Sequence, residues 1–415
     1  MKDDKGNSGP LKTGCCIVGG GPAGMTLAFL LARMGVDVTV LEKHADFLRD
    51  FRGDTIHPST LDIIRELGFL EEFLKIPHQE VRDLAGQVGA DTVTIADFRH
   101  VPTHCKFLVL MPQWDFLDFL KQKAQLYPSF RLLMEADVTG LIEANGVVVG
   151  IRATTPKGPL EIRAGLVVGA DGRHSVTRKS GGLTVIDFGA PMDVMWMRIT
   201  RRPKDPGQTF GHVDRGRILV LLNRDIYWQA AFVIAKGEAD HIRERGLVSF
   251  REEVGRLEPF LRSRLEEVRD WKEVSVLTVT VDRLESWSRP GLLCIGDAAH
   301  AMSPIGGVGI NLAIQDAVAA ANILGPILAN RAPVESELYK VQQRRDFPTR
   351  ATQRLQLTIQ NNIIRRVLGS TREFTLPWPL KLLRRWPFLR RIPARVVGVG
   401  FRPEHVKTPE VRPIH

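Results

Sequence analysis

Cys15-Cys16-Ile17-Val18-Gly19-Gly20-Gly21-Pro22-Ala23-Gly24 decides the fold of this chain. An apolar run stops at glycines spaced Gly19-x-Gly21-x-x-Gly24, and a helical pattern follows from Met25 to Met34. In a dinucleotide site each glycine has its own task. Gly19 permits the tight turn, Gly21 lets the backbone approach a pyrophosphate, and Gly24 lets the helix pack closely on the sheet. The helix start, with Pro22 and Ala23, offers unpaired N–H groups and the positive end of a dipole to phosphates. A second strand pattern, Val36 to Leu41, ends at Glu42 and Lys43. Glu42 stands eighteen residues past Gly24, where a carboxylate can accept hydrogen bonds from a ribose diol. Strand, glycine turn, helix and second strand make a βαβ unit; the bland alternative is a glycine-rich turn in an unrelated α/β fold.

The totals fit this start. A chain of 415 residues suits two or three domains with a large core, and 44% hydrophobic with 25% charged residues is ordinary for a globular protein. No uninterrupted apolar stretch reaches transmembrane length, and Met1 to Lys12 is polar and unlike a signal peptide, so a cytoplasmic protein is expected. Cys15, Cys16, Cys105 and Cys294 show neither paired nor metal-type spacing and are read as small buried core residues, with no metal site. The net charge of +10 suits nucleic acid, a membrane or an anionic ligand. No helix-turn-helix, zinc-finger or RNA-binding motif accompanies it, which sets nucleic acid aside.

Along the chain, Arg49 to His57 is a polar loop, and Pro58-Ser59-Thr60 starts an amphipathic helix with Leu61, Ile64 and Leu67. Short strands are expected between Val81 and Phe98, leaving the first layer. A helix is expected from Asp115 to Gln125. A meander follows over Leu132 to Ile142, Val147 to Ala153 and Leu160 to Ile162, turning at Asn145-Gly146. Leu166 to Ala170 is a buried strand ending at Asp171-Gly172. The block from about 185 to 276 has strand patterns and a charged helical stretch, His241 to Val268, without phosphate-loop glycines. It reads as a sheet domain covering a ligand. Leu292 to Ile295 is again a buried strand, ending at Gly296-Asp297, and a long helix runs from Asn311 to Leu328. The expected organisation is a nucleotide-binding domain in three parts, 12–76, 100–184 and 277–355. Strands from 77–99 and the sheet domain 185–276 are inserted, and a helical, basic tail fills 356–415.

Three strand ends then converge, at Gly19 to Gly24, Asp171-Gly172 and Gly296-Asp297, where ligands lie in an open α/β sheet. The glycine-rich loop Ser303-Pro304-Ile305-Gly306-Gly307-Val308-Gly309-Ile310-Asn311 runs straight into a helix. Such a start aims N–H groups at developing negative charge, as on the N(1)–C(2)=O edge of a reduced flavin. Mere helix capping needs fewer glycines.

These motifs, in this order from residue 14 to about 350, resemble the single-component FAD aromatic hydroxylases, the para-hydroxybenzoate hydroxylase-like flavoprotein monooxygenases that include ubiquinone-biosynthesis hydroxylases. The resemblance implies an α/β fold with a glutathione-reductase-type Rossmann-like FAD domain, an inserted mixed-sheet substrate domain and a C-terminal helical segment. It implies that Glu42, with Lys43 beside it, holds the adenosine ribose. Arg52 would sit by the pyrophosphate and flavin, Gln113 would reach the ribityl chain, and the Val138 backbone would touch adenine. Asp171 and Gly172 would support both FAD and NAD(P)H, Gly296 and Asp297 would serve the ribityl chain, and Pro304 with the Gly307, Val308, Gly309, Ile310 and Asn311 backbone would hold the isoalloxazine. NADPH or NADH would bind transiently at the surface, with Arg52 and nearby basic residues as phosphate partners. O2 would then form a flavin C(4a)-hydroperoxide that hydroxylates an aromatic or polycyclic small molecule.

The substrate side is thinner. The family's familiar tyrosine pair cannot be placed among Tyr127, Tyr227 and Tyr339. Tyr227 and Gln229 share one face of a strand and Trp228 and Phe232 the other, and either face could line the pocket. Tyr227, Gln229 and His57 are the candidates for substrate contact or proton transfer, against half-buried or capping roles; His300 reads as structural. The tail, Leu376 to Arg391, mixes Trp, Leu and Arg, with prolines that forbid one continuous helix. It reads first as a lid on the FAD domain and second as a peripheral contact with an anionic membrane. A homodimer is the oligomer common among such enzymes. The competing functions are an FAD-dependent reductase, a halogenase, whose Trp-x-Trp-x-Ile-Pro stretch is absent, or a non-catalytic FAD-binding protein.

Overall fold

Leu292–Cys294, Gly158–Gly169, Leu11–Val18, Val38–Leu41 and Phe130–Leu133 lie side by side in that order, all parallel, and carry the fold. The computed structural model describes residues 11–48, 55–89, 91–207, 209–370 and 376–411. Parallel strands need both faces covered, and the first strand shows how. Cys15 and Ile17 point into a core shared with helices Pro22–Arg33 and Gly309–Leu328, while Cys16 and Val18 point into a second cluster with Val138, Ile151 and Ala153 of the meander. The helix Gly309–Leu328 belongs to the one apolar stretch among the described residues long enough to cross a membrane, and 72% of that window is buried in this core.

One strand differs from expectation. Leu160–Ile162 and Leu166–Ala170 are not separate pieces but one strand, Gly158–Gly169. Arg163 and Gly165 interrupt the apolar run, yet the parallel ladder to Leu11–Val18 continues from Ile162 to Gly169. On its other side the same strand pairs first with Val147–Thr155 and then with Leu292–Cys294.

The second sheet has seven strands, ordered Ser275–Leu277, Met192–Thr200, Tyr227–Ala235, Arg217–Asn223, Phe210–Asp214, Asp83–Val88 and Asp91–Asp97. The early strands thus join the middle block through a parallel pairing of Asp83–Val88 with Phe210–Asp214. One face, with Met195, Leu219, Trp228 and Phe232, packs against Phe250, Leu261 and Leu265. The expected charged helix there is broken into Ala239–Glu244, Leu247–Leu257 and a 3-10 segment, Pro259–Glu267, because Gly246 takes φ 88° and Pro259 removes a donor. Buried Arg264 anchors the corner on Asp205 (2.5 and 3.1 Å) and the Thr200 carbonyl (2.7 Å).

The tail packs on the middle sheet and on the nucleotide domain. Residues 363–368 lie on the free face of the middle sheet, with Val367 fully buried. Trp378–Arg385, Pro387–Arg390 and Arg391–Gly398 form the short helical pieces that the prolines require, and Ala394 and Val397 pack with Phe98 and Leu110. The last described residues return to the nucleotide domain: Val411 N donates to Arg33 O (2.8 Å), and Glu410 takes Tyr127 Oη (2.6 Å) and Arg33 Nη2 (3.1 Å). All four cysteines are buried and free. Burial raises the thiol pKa of Cys16 to about 12 and of Cys105, helped by nearby carboxylates, to about 11.

Candidate functional site

The parallel strands deliver their carboxyl ends to one edge. Gly19 has φ 105°, and a Cβ there would collide with the Ala170 carbonyl, so the turn passes directly beside the end of Gly158–Gly169. A Cβ on Gly24 would strike the Gly19 carbonyl, whereas one on Gly21 would meet nothing within 4 Å. That open backbone, ahead of a helix with Pro22 in its first turn and no side-chain cap, is the cradle a pyrophosphate needs. Glu42 accepts from Gly20 N (3.0 Å) and His44 N (3.1 Å), which fixes its carboxylate over the turn; Lys43 is exposed beside it. The Val138 backbone is laddered to Ala153, two residues past Ala136, whose N–H donates to Glu42 O (2.9 Å). Arg52 lies outside the described residues.

The two Gly/Asp strand ends differ in use. Asp171 accepts from Ser175 Oγ (2.6 Å), Thr177 N (3.0 Å) and Thr177 Oγ1 (2.7 Å), so its carboxylate closes the turn at Gly172 and starts the helix Val176–Ser180. Asp297 instead stays a third exposed, 3.5 Å from Arg173 Nη2. Arg173 directly follows Asp171-Gly172, and that adjacency was the available signal for it. Gly296 packs against Ala23 and Ala313, which brings both helix starts to Asp297.

The loop Pro304 to Asn311 is the second cradle. Gly306 and Gly307 take φ 78° and 61°, and the helix Gly309–Leu328 begins without a side-chain cap. Asn311 locks this start to the neighbouring chain: Oδ1 accepts from His57 N (2.9 Å) and Thr60 Oγ1 (2.8 Å), and Nδ2 donates to Thr55 O (3.0 Å) and Gly307 O (3.3 Å). Its side chain is therefore spent on the scaffold, leaving backbone N–H groups as the donors. Gln113 opens the helix Gln113–Ala124 three residues after Leu110, the strand partner of Thr55, whose side chain abuts Gly307.

His57 belongs to the same joint rather than to an open pocket. It is 1% exposed, and its Nδ1 lies 2.6 Å from Val397 O, which places the proton on Nδ1. Burial lowers its pKa to about 4 against the opposing pull of that carbonyl. The unfolded chain therefore binds a proton that the folded chain refuses, and stability falls as pH drops from about 6.5 toward 4. A loss of about 3 kcal/mol is expected across that window. His57→Gln should flatten this part of the profile in thermal melts at stepped pH; an unchanged slope would remove His57 as its source. His300 is also structural: buried, 2.6 Å from Asp316 Oδ2, and tilted against Trp287. Burial alone would raise the Asp316 pKa, but His300 and Arg345 hold it below the usual carboxylate range.

The middle sheet's other face looks toward this loop. Val194, Trp196, Val220, Ala231 and Val233 share it, and Ile305 packs against that cluster. Tyr227 and Gln229 lie on this same face, farther along the strand, while Trp228 and Phe232 are beneath the helices. Tyr227 is covered by Arg198 (4.0 Å to the ring centre), and Gln229 Oε1 accepts from Arg224 Nε (3.0 Å). Alternation alone defines two faces without saying which one meets the other domain.

A dinucleotide cradle, a second uncapped helix start and an apolar sheet face packed against the Ile305 loop are the features of a flavoprotein. The chain matches the FAD binding domain family over residues 12–355. It is 32% identical over 386 residues to 6-methylpretetramide 4-monooxygenase of Streptomyces rimosus, covering 92% of each chain. Its fold matches the anhydrotetracycline hydroxylase of Streptomyces rimosus, with TM-score 0.74 and 24% identity over 94% of this chain and 76% of that one. A myxobacterial chondrochloren halogenase shares the fold, with TM-score 0.74 and 18% identity over 93% and 91% of the two chains. The chain belongs to the FAD-dependent aromatic hydroxylase family of flavoprotein monooxygenases.

Proposed function

We propose that this enzyme hydroxylates a polycyclic aromatic substrate of the polyketide type, using FAD, O2 and NADPH or NADH. The observation that carries the reading is the apolar face of Trp196, Val220, Ala231 and Val233 set against the Ile305 loop, at the strand edge where both helix starts meet. The 32% identical relative is a 6-methylpretetramide 4-monooxygenase, which supports the polycyclic aromatic class. Bound FAD supplies the redox chemistry. The protein's part is positional. Gly19, Gly21, Pro22, Ala23 and Gly24 hold the pyrophosphate, Glu42 the ribose, and Gln113 and Asp297 the ribityl chain. The Gly307 to Asn311 backbone stabilises negative charge on the ring system. The apolar face excludes water and seats the substrate. Tyr227 reaches substrate only as an outer wall, because Arg198 covers its ring.

The test is a screen of tricyclic and tetracyclic phenols against the FAD-loaded protein. Faster NAD(P)H oxidation together with a product heavier by one oxygen atom is the expected result. Consumption that yields only hydrogen peroxide with every compound would sink the substrate class, and a protein that retains no FAD would sink the whole reading.

For the tail, exposed Trp378, Trp386, Phe388 and Ile392 stand among Arg384, Arg385, Arg390 and Arg391, a composition that favours an anionic surface. Cosedimentation with anionic vesicles at physiological salt, lost in a Trp378→Ser, Phe388→Ser variant, is the expected outcome. Equal recovery in the supernatant with and without vesicles would end that part of the proposal.

A further inference from the structure

A cavity of about 410 Å³ lies between the helix Glu335–Ile359 and the short antiparallel pair Val185–Asp187 and Asp282–Leu284. Three guanidiniums line it, Arg283, Arg350 and Arg354, with Phe188 and Leu357 as apolar wall. Arg350 pairs with Asp346 (2.7 Å); Arg283 and Arg354 have no carboxylate partner among the described residues. Arg283 lies over the Phe188 ring, 4.9 Å from its centre, and spends one of its N–H groups on Gln353 Oε1 (2.9 Å). Burial first, and then the positive charge of Arg350, push the Arg283 pKa down against a weaker opposing pull from Asp346. Three guanidiniums beside the single carboxylate of Asp346 leave a surplus of positive charge, and planar guanidinium forks match phosphate oxygens.

The position is informative as well. Gln353, which holds Arg283, also donates through Nε2 to Asp282 O (2.7 Å) and Ala301 O (3.2 Å). One turn on, Gln356 Nε2 donates to Ser303 O and Ile305 O, each at 2.9 Å. The cavity wall is therefore the helix that carries the loop leading to the Gly309–Leu328 helix start. An anion on Arg283 sits one side chain from that loop. The volume suits a single nucleotide rather than a whole dinucleotide, and a ring-sized apolar wall beside a cationic cluster suits a purine joined to a phosphate monoester.

We propose that this cavity docks the adenosine end of NADPH, with the 2′-phosphate on Arg350 and Arg354 and the adenine against Phe188 and Arg283. The proposal rests on the reading that a nicotinamide reduces the flavin, and it adds a choice of reductant, since NADH lacks that phosphate.

Anaerobic mixing of the FAD-loaded enzyme with NADPH or NADH, followed by loss of flavin absorbance, tests it. The enzyme should half-saturate with NADPH at a concentration about ten-fold or more below that for NADH, and an Arg350→Ala, Arg354→Ala variant should bring the ratio near one. Both side chains are exposed, so the variant is expected to fold, with its melting temperature as the check. Calorimetry with adenosine 2′,5′-bisphosphate and with adenosine 5′-phosphate separates the sources of affinity. Binding of the bisphosphate alone, lost in the variant, supports the site. Equal ratios in enzyme and variant overturn it, as does inorganic phosphate binding as tightly as the bisphosphate. If neither nicotinamide reduces the flavin, the reductant reading fails by itself, and the bisphosphate titration still decides whether the cavity binds a nucleotide.

Discussion

Gly24→Ala is expected to yield a protein that neither holds FAD nor keeps its stability. The added Cβ would collide with the Gly19 carbonyl, a backbone atom with no side-chain freedom to yield. Because Gly19 is itself wedged against Ala170, the strain passes to the turn and the adjoining strand end. A loss of about 2–3 kcal/mol is expected, with the flavin released on gel filtration. Gly21→Ala separates binding from folding. Its Cβ would meet no protein atom within 4 Å, and φ −74° is comfortable for alanine. This variant should melt like the apo parent yet bind FAD about ten-fold or more weakly, as the methyl takes space meant for the pyrophosphate. Unaltered FAD affinity in Gly21→Ala would place the pyrophosphate elsewhere.

Asp316→Ala should carry the largest stability loss away from the glycine turn. Its carboxylate has no exposed surface and accepts from Gly296 N (3.1 Å), His300 Nε2 (2.6 Å) and Arg345 Nε (2.9 Å). Removing it leaves Arg345 held through Nη1 alone, to the Arg402 carbonyl (3.2 Å) and Glu404 (3.4 Å), and takes the close carboxylate from a buried positive charge, a change worth about 3–5 kcal/mol. Urea unfolding of the alanine variant and of Asp316→Asn measures this; a loss below about 1 kcal/mol for both would show that the cluster is not a stability centre. Since Gly296 is one of its ligands, weaker FAD retention is expected alongside.

The nucleotide half was legible because its constraints are local. The Gly19 to Gly24 spacing, the buried runs that stop at Asp171 and Asp297, and the glycines before Asn311 each announce a backbone event within a few residues. Asp316, by contrast, sits mid-helix with nothing nearby in sequence to mark it; its partners come from 20 residues before and 29 after. The orientation of the Tyr227 strand was equally hidden, since alternation is symmetric and only the helices beneath Trp228 and Phe232 break the tie. Periodicity splits the Gly158–Gly169 strand in two because Arg163 and Gly165 register as breaks, while the ladder that spans them belongs to a strand some 150 residues earlier.

The closing of the C-terminal segment has a consequence for synthesis of the protein. Glu404 completes the Arg344 and Arg345 pairs, and Glu410 and Val411 tie down Arg33 at the end of the very first helix. While the ribosome still shields those residues, the nascent chain has its glycine turn and both sheets but lacks the clasp that joins the earliest helix to the latest strap. Closure of the nucleotide domain then waits until residues 404–411 have left the ribosome.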